Sequence, residues 1–193
     1  MRVLFSMLLT MCMLPMAMHA EVVDKSTGAS FPSTVNFSSG GTDYALNATG
    51  VATRKKFIVK VYSIASYLQS DGKSAGDIMN PSFAKQLTLK WQRDVDGARV
   101  KDGYLESMKA SMSGEQFAKV KPQVDQFLAL FDNGAKEGDE HVYRWIPGGK
   151  VEVLINGSQV GTVEGEEFAS GLWAIWFGPK SVVNKADLTS MLK

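Results

Sequence analysis

Arg54 and Tyr62 are the two residues whose types and spacing are best suited to ligand chemistry. Both lie in residues 50–68, GVATRKKFIVKVYSIASYL, where most of the other side chains are apolar. A guanidinium that is withdrawn from water needs an anion or an acceptor beside it. A carboxylate can accept two parallel hydrogen bonds from it, and a phenol can donate a third. Together, the pair has the chemistry to hold a carboxylate.

The spacing of Arg54 and Tyr62 restricts this interpretation. On one straight strand, eight residues span about 26 Å at roughly 3.3 Å per residue. The two side chains can share a ligand only if the chain turns between them, near Lys55 and Lys56. Without such a turn, Arg54 is a strand-end cation that faces water, and Tyr62 is a core aromatic with its hydroxyl at a sheet edge.

Other site chemistries find little support in the remaining residues. The chain has one cysteine, Cys12, and two histidines, His19 and His141. Removal of a signal segment would leave one histidine and no thiol, which excludes disulfides, thiol catalysis and multi-histidine metal sites. No G-x-S-x-G motif accompanies His141, which we expect to be exposed at the start of a strand. The sequence therefore predicts no metal and no organic cofactor.

Residues 1–20, MRVLFSMLLTMCMLPMAMHA, have one basic residue followed by a short apolar run, which is typical of a secretory signal peptide. Cleavage is expected after Ala20, with Ala17 as the alternative. A lipid-modified Cys12 is disfavoured because a methionine precedes it. The sequence thus predicts a periplasmic or secreted protein with one domain over residues 21–193.

Charge is nearly balanced, with 21 Lys and Arg against 20 Asp and Glu. Loss of Arg2 with the signal segment brings the net charge to about zero. The sequence therefore offers no overall basic field for nucleic acid or for an anionic membrane. No membrane span is expected after cleavage, and no oligomeric state is indicated.

Periodicity predicts strands in runs and helices in runs, which favours an α+β domain with a mostly antiparallel sheet. Residues 56–68 give the strongest strand pattern and are expected at the centre of the sheet, covered on both faces. Pro122 should kink or divide a helical segment. Trp145, Trp173 and Trp176 are expected in the core. Further strands are predicted at residues 35–37, 43–53, 86–93, 141–146, 150–156 and 159–163, and helices at 97–112, 114–132, 165–177 and 184–192.

Three segments carry a family resemblance. Residues 50–68 resemble the Gly-x-x-x-Arg…Lys-Val-Tyr-x-x-x-x-Tyr-Leu segment of chalcone isomerase-like proteins. LWAIWFGPKSVVNKADLTSML resembles their C-terminal helix, glycine and second helix, and WQRDVDG is similar to the strand-to-helix junction between these blocks. The resemblance implies a large antiparallel sheet with a layer of helices on one face.

Within that family, plant enzymes that close a flavanone ring use an Arg, a Thr, and a Tyr and a Lys on a helix. Fatty-acid-binding relatives keep the Arg and carry a Tyr in place of the Thr. Arg54 and Tyr62 match the binding class, whereas Val100 and Gly103 stand at the enzyme's Tyr and Lys positions.

The resemblance thus favours non-catalytic binding of a fatty acid or similar amphipathic carboxylate between sheet and helices. The candidate wall residues are Phe57, Trp173, Trp176 and Phe177. Tyr104 and Lys101 on the first helix could also face the cleft, although core packing and exposure to solvent are the simpler assignments. An isomerase of the chalcone type and an interaction scaffold in the cell envelope are the alternatives.

Overall fold

The computed structural model describes residues 20–72 and 74–192. The predicted signal segment is therefore almost wholly outside the described residues. The strands are β1 Glu21–Val23, β2 Ser30–Pro32, β3 Thr34–Ser39, β4 Thr42–Lys56, β5 Val59–Gln69, β6 Lys85–Trp91, β7 Glu140–Ile146, β8 Lys150–Ile155 and β9 Ser158–Glu164. The helices are α1 Gly97–Ser111, α2 Gly114–Lys119, α3 Lys121–Leu128, α4 Glu166–Phe177 and α5 Lys185–Leu188, with short 3-10 helices at Ala75–Met79 and Ala129–Phe131.

Strands β3 to β9 form one antiparallel sheet in which each strand pairs with the next along the chain. The sheet is strongly curled. On a flat sheet, β3 and β8 would lie roughly 24 Å apart at about 4.8 Å per strand. Instead, Ser39 Oγ on β3 donates to Glu152 Oε1 on β8 over 2.5 Å. The predicted α+β class with a large antiparallel sheet and a helix layer is confirmed.

The helix layer packs on one face of the sheet. Helix α4 lies deepest, since Phe168, Leu172, Trp173 and Trp176 are each fully buried. Trp145 on β7 is also fully buried, and its ring meets that of Trp173 at a centroid distance of 5.4 Å. The predicted placement of the three tryptophans in the core is confirmed. None of the helices in the described ranges is both long and apolar enough to cross a membrane.

The opposite face of the sheet is covered by the β1–β2 hairpin. Phe31 on β2 packs in a second apolar cluster with Ala65 and Tyr67 on β5, while Ile64 and Leu68 on β5 point into the main core. Strand β5 is therefore buried on both faces, as its sequence pattern predicts. Alternation of two apolar faces requires a cover on each side of the strand.

The structure confirms one predicted break in an element and corrects the start of another element. The helical segment around Pro122 is divided, as predicted, because α2 ends at Lys119 and α3 begins at Lys121. The strand predicted over residues 56–68 is wrong at its start, where Phe57 and Ile58 form a tight turn between β4 and β5.

His141 differs from the expectation that a residue at the start of a strand is exposed. It is fully buried, because Trp91 and Phe131 flank its ring at centroid distances of 5.3 and 5.6 Å. The 3-10 helix that contains Phe131 covers the beginning of β7. The expectation of an exposed His141 is therefore corrected.

Gly50 allows the C-terminal helix to approach β4. A β-bulge falls between Ala48 and Gly50, and a Cβ placed on Gly50 would lie 2.1 Å from the main-chain oxygen of Asp187. Its φ of 155° adds to the requirement for glycine. Thr49, the bulged residue, donates through Oγ1 to the main-chain oxygen of Leu188 over 2.7 Å. The glycine of the Gly-x-x-x-Arg segment therefore has a packing role.

Candidate binding cleft

The turn at Phe57 and Ile58 brings Arg54 and Tyr62 together. Lys56 pairs with Val59 across the turn, and Arg54 pairs directly with Tyr62 between β4 and β5. Directly opposed residues project from the same face of an antiparallel pair, with Cβ atoms about 5 Å apart. A site shared by Arg54 and Tyr62 requires the chain to turn between them. The turn is present, but it lies at Phe57 and Ile58 rather than at Lys55 and Lys56.

A register shift lies beside this pair. Lys55 pairs with Lys60 and Arg54 with Tyr62, so Val61 is the extra residue of a bulge on β5. Bulges bend a strand and redirect neighbouring side chains, and they are common next to functional sites. Here the bulge places Val61, Tyr62 and Arg54 together along one cleft.

The cleft has a volume of about 570 Å³ and lies between the β4–β5 hairpin and helix α1. This volume falls within the usual range for small-molecule sites. The exposed rim includes Lys56 and Phe57 from the hairpin and Asp102 and Glu106 from α1. The inner wall is apolar and aromatic, formed by Val61, Tyr62, Trp91, Val100, Tyr104 and Ile175.

Arg54 is the cation at this inner wall and is only partly exposed. Its Nη1 donates to the main-chain oxygen of Val182 over 2.9 Å and to that of Lys55 over 3.4 Å. Among the residues that the structure describes, no carboxylate lies within ion-pair distance of it. A guanidinium has five N–H donors, so Arg54 keeps N–H donors that could bind an anion in the cleft.

Tyr62 provides a neutral donor next to this cation. Its hydroxyl is buried and accepts a hydrogen bond from Trp176 Nε1 over 2.9 Å. Burial raises the pKa of Tyr62 to about 12, against the opposing effects of the Trp176 hydrogen bond and the Arg54 charge. The hydroxyl therefore keeps its proton at neutral pH. Within the described chain its one hydrogen bond is the one that it accepts, so the proton is available to a ligand.

Tyr104 is a cleft residue for which the sequence favoured core packing over a position facing the cleft. It lies on α1, lines the cleft and shares a hydrogen bond between hydroxyls with Tyr143. Burial, first of all, raises the pKa of Tyr104 well above its usual range. Val100 lines the same cleft, and residues four apart lie on the same face of a helix. This spacing was the sequence signal that could have placed Tyr104 in the cleft.

The predicted wall residues are only partly correct. Phe57 lies at the rim of the cleft. Trp176 is buried behind Tyr62, and Trp173 packs against Trp145. Trp173, Trp176 and Phe177 do not line the cleft, whose aromatic wall is instead completed by Trp91.

A second and larger groove, of about 740 Å³, lies on the other side of β4. Most of its lining side chains are polar, and its most buried acid, Asp24, already accepts hydrogen bonds from Thr53 Oγ1 at 2.6 Å and from the Ser26 main-chain nitrogen at 2.9 Å. It contains neither Arg54 nor Tyr62. Over residues 20–72 and 74–192, no cluster of three or more His, Cys, Asp or Glu side chains could hold a metal ion.

Comparison with known proteins relates this fold to one family. The family model for chalcone isomerase-like proteins matches residues 23–190. The crystal structure of a fatty-acid binding protein from Arabidopsis thaliana is similar, with a TM-score of 0.70 and 18% sequence identity, over 89% of this chain and 97% of that one. A search of curated proteins found no match.

The family match extends over both Arg54 on the β4–β5 hairpin and the C-terminal segment whose Val182 oxygen accepts its hydrogen bond. The likeness to the Arabidopsis protein independently shows that the fold is the same. The chain therefore belongs to the chalcone isomerase-like family.

Proposed function

We propose that the protein binds a fatty acid or a similar amphipathic carboxylate in the cleft between the sheet and helix α1, without catalysis. The observation that carries this proposal is the Arg54–Tyr62 pair. The two donors line one cleft whose inner wall is apolar and aromatic, and no carboxylate of the described chain lies within ion-pair distance of Arg54. The similar Arabidopsis structure, which is that of a fatty-acid binding protein, is consistent with this ligand class.

The carboxylate would be bound at the Arg54 end. Charge-assisted hydrogen bonds from a guanidinium to a carboxylate are short and strong, and the Tyr62 hydroxyl adds a donor that stays protonated at neutral pH. The main-chain oxygen of Val182 holds one nitrogen of Arg54 in place. This contact fixes the guanidinium before the ligand arrives, which reduces the entropy lost on binding.

The acyl chain would lie against the apolar inner wall. Val61, Val100 and Ile175 offer aliphatic surface there, and Trp91 offers an aromatic one. Each methylene removed from water contributes about 0.8 kcal/mol. Affinity should therefore increase with chain length until the cleft is full.

Catalysis is the weaker alternative. Val100 and Gly103, which the resemblance aligns with the Tyr and Lys of the plant enzymes, both line the cleft but provide no polar side-chain group. Arg54 and Tyr62 alone could stabilise an oxyanion, so the isomerase alternative is tested directly. Its predicted result is a rate above background in a spectrophotometric assay with a chalcone. A scaffold without a ligand would need no cleft of about 570 Å³.

Location is part of the same proposal. Export by the segment at residues 1–20 would place the protein in the periplasm or outside the cell. Mass spectrometry of the protein from fractionated cells tests this. A mature chain that begins at Glu21, or at Met18 for the alternative cleavage, supports export, and an intact Met1 in the cytoplasm contradicts it.

The binding experiment is native mass spectrometry of the mature protein from its own compartment, followed by lipid extraction and titration with oleate. We expect a co-purifying fatty acid that is lost in Arg54→Ala. Lys55→Ala is the matched control, because Lys55 is the adjacent cation and lies outside the cleft. Unchanged oleate affinity in a folded Arg54→Ala variant would overturn the proposal.

A further inference from the structure

The β4–β5 turn exposes apolar side chains to an unusual extent. Phe57 is 92% exposed, Ile58 is 93% exposed and the following Val59 is 39% exposed. Single exposed apolar residues are common on protein surfaces, but a contiguous exposed run marks an interaction site or an aggregation liability. We call residues 55–60, with this run at their centre, the hairpin tip.

The fold does not require these residues. Phe57 has a φ of 57°, a left-handed conformation that is unfavourable for a bulky side chain. The other tight turns between neighbouring strands of the described sheet use glycine or asparagine at such positions: Gly40–Gly41, Gly148–Gly149 and Asn156–Gly157. A glycine or an asparagine at position 57 would make the same turn at lower energy, so turn formation does not account for Phe57.

Positive charge surrounds the apolar residues. Lys55, Lys56 and Lys60 are exposed, and no acidic residue occurs between Gly50 and Ser70. In the described part of the chain, none of these three lysines belongs to an ion pair, and Lys60 Nζ donates one hydrogen bond to the main-chain oxygen of Ser26. The near-zero net charge, which argued against an anionic membrane as partner, thus conceals a local concentration of cations.

We propose that the hairpin tip docks on an anionic phospholipid surface, with Phe57 and Ile58 inserted among the lipid headgroups and Lys55, Lys56 and Lys60 paired with lipid phosphates. Aromatic and aliphatic side chains flanked by lysines are suited to the membrane interface. Lysine side chains can extend their charge outwards while their methylene groups contact apolar surface. Each cation near an anionic leaflet adds to the attraction.

The shape of the tip favours a membrane over a protein partner. The tip offers three exposed apolar residues at a two-residue turn, whereas a stable interface with a folded protein usually involves about 20–30 residues on each side. The opposite rim of the cleft has an acidic excess, since four exposed acids outnumber two exposed arginines there: Asp94, Asp96, Asp102 and Glu106 against Arg93 and Arg99. An anionic surface repels that rim and attracts the hairpin, so the charges fix one docking orientation.

Docking in this orientation has a consequence for the cleft. Lys56, Phe57 and Val59 belong both to the tip and to the rim, so the cleft would open close to the lipid headgroups. A fatty acid could then pass between bilayer and cleft without crossing bulk water. This last step rests on the proposed binding function, whereas docking itself does not.

The test is co-sedimentation of the mature protein with vesicles of equal parts phosphatidylglycerol and phosphatidylcholine, and with vesicles of phosphatidylcholine alone. We expect binding to the anionic vesicles and a roughly tenfold weaker partition for Ile58→Asn. Lys55→Gln/Lys60→Gln removes two cations and should weaken anionic binding roughly thirtyfold, while binding to the neutral vesicles stays unaffected. Val160→Thr is the matched control, because Val160 is 42% exposed on β9, away from the tip.

Several results would overturn the docking proposal. They are no binding of the wild type to anionic vesicles, equal binding by Ile58→Asn, an equal loss in Val160→Thr, or tip-dependent dimerisation in solution without vesicle binding. Oleate affinity, measured without vesicles, separates this proposal from the binding function. Ile58 does not line the cleft, so Ile58→Asn should keep that affinity and slow only the transfer of oleate from vesicles.

Discussion

Two tight turns of the same sheet meet the same geometric requirement with different residues. At the β8–β9 turn, Asn156 and Gly157 adopt φ values of 50° and 80°, which these residue types tolerate well. Asn156 also accepts a hydrogen bond from the Glu140 main-chain nitrogen and donates one to Asp139, both over 2.8 Å. At the β4–β5 turn, Phe57 adopts a comparable φ without such compensation. One turn is suited to stability, whereas the other retains a less stable residue beside the candidate site.

Placing the Phe-Ile pair of the β4–β5 turn into the β8–β9 turn should have the largest effect on stability. We expect Asn156→Phe/Gly157→Ile to reduce the free energy of unfolding by about 4 kcal/mol. A β-branched residue replaces a glycine in the left-handed region, and two side-chain hydrogen bonds are lost. Urea denaturation at neutral pH measures this change. If the double variant does not fold, Gly157→Ala gives a milder loss of about 1 kcal/mol.

Low pH should also reduce folding stability near the β8–β9 turn, through the buried His141, which pairs with Ile155. Burial lowers the pKa of His141 from 6.5 to about 4, although the nearby Asp139 charge opposes this. Between these values the unfolded chain binds a proton that the folded chain does not. Stability is therefore lost as the pH falls from 6.5 to 4, by up to about 3 kcal/mol from this group.

Carboxylates also titrate in this range, so the pH test compares wild type with His141→Phe. The difference in the free energy of unfolding between the two proteins should change by about 3 kcal/mol between neutral pH and pH about 4. A constant difference across this range would show that His141 does not contribute to the acid response.

Near the β4–β5 turn, in contrast, substitutions should affect binding more than stability. We expect Arg54→Lys to keep the charge but lose the planar fork, and to weaken oleate binding roughly tenfold. Isothermal titration calorimetry measures this, while thermal unfolding of the unliganded protein should be nearly unchanged. An equal loss of affinity in Asn156→Phe/Gly157→Ile would remove the distinction between the two turns.

The smallest change in stability is expected for Phe57→Asn, which tests the role of this one side chain. Phe57→Asn relieves the unfavourable φ and should raise the free energy of unfolding by about 0.5 kcal/mol. The same variant should bind anionic vesicles less well. A gain in stability together with a loss of docking would show directly that Phe57 is retained at the expense of stability. A loss of stability would indicate instead that Phe57 supports the fold.

The sequence predicted the elements whose residues repeat regularly. Alternation in β5 and β6 and the helical spacing in α1 and α4 reflect burial directly, so the fold class and the core tryptophans followed from the pattern. Together with the resemblance, the Arg and the Tyr of the candidate site were also recognised, because a cation and a phenol are conspicuous in an apolar strand.

The parts that were missed depend on local exceptions and on distant contacts. The turn at Phe57 carries no glycine, proline or asparagine, so no turn signal interrupts the strand pattern. The burial of His141 depends on Phe131 and Trp91, which are distant in sequence. Tyr104 combines a core contact with a cleft surface, and periodicity cannot separate these two roles.

The contact between Arg54 and Val182 also determines the order in which parts of the candidate site can form during synthesis. The main-chain oxygen that holds the guanidinium belongs to a residue 128 positions further along the chain, and Gly50 on the same strand packs against Asp187. During synthesis, the β4–β5 hairpin emerges long before these C-terminal residues. A nascent chain can therefore form the hairpin early, but it fixes Arg54 only after the segment around Val182 has been made. The anion affinity that we propose for Arg54 would thus be among the last properties that the folding chain acquires.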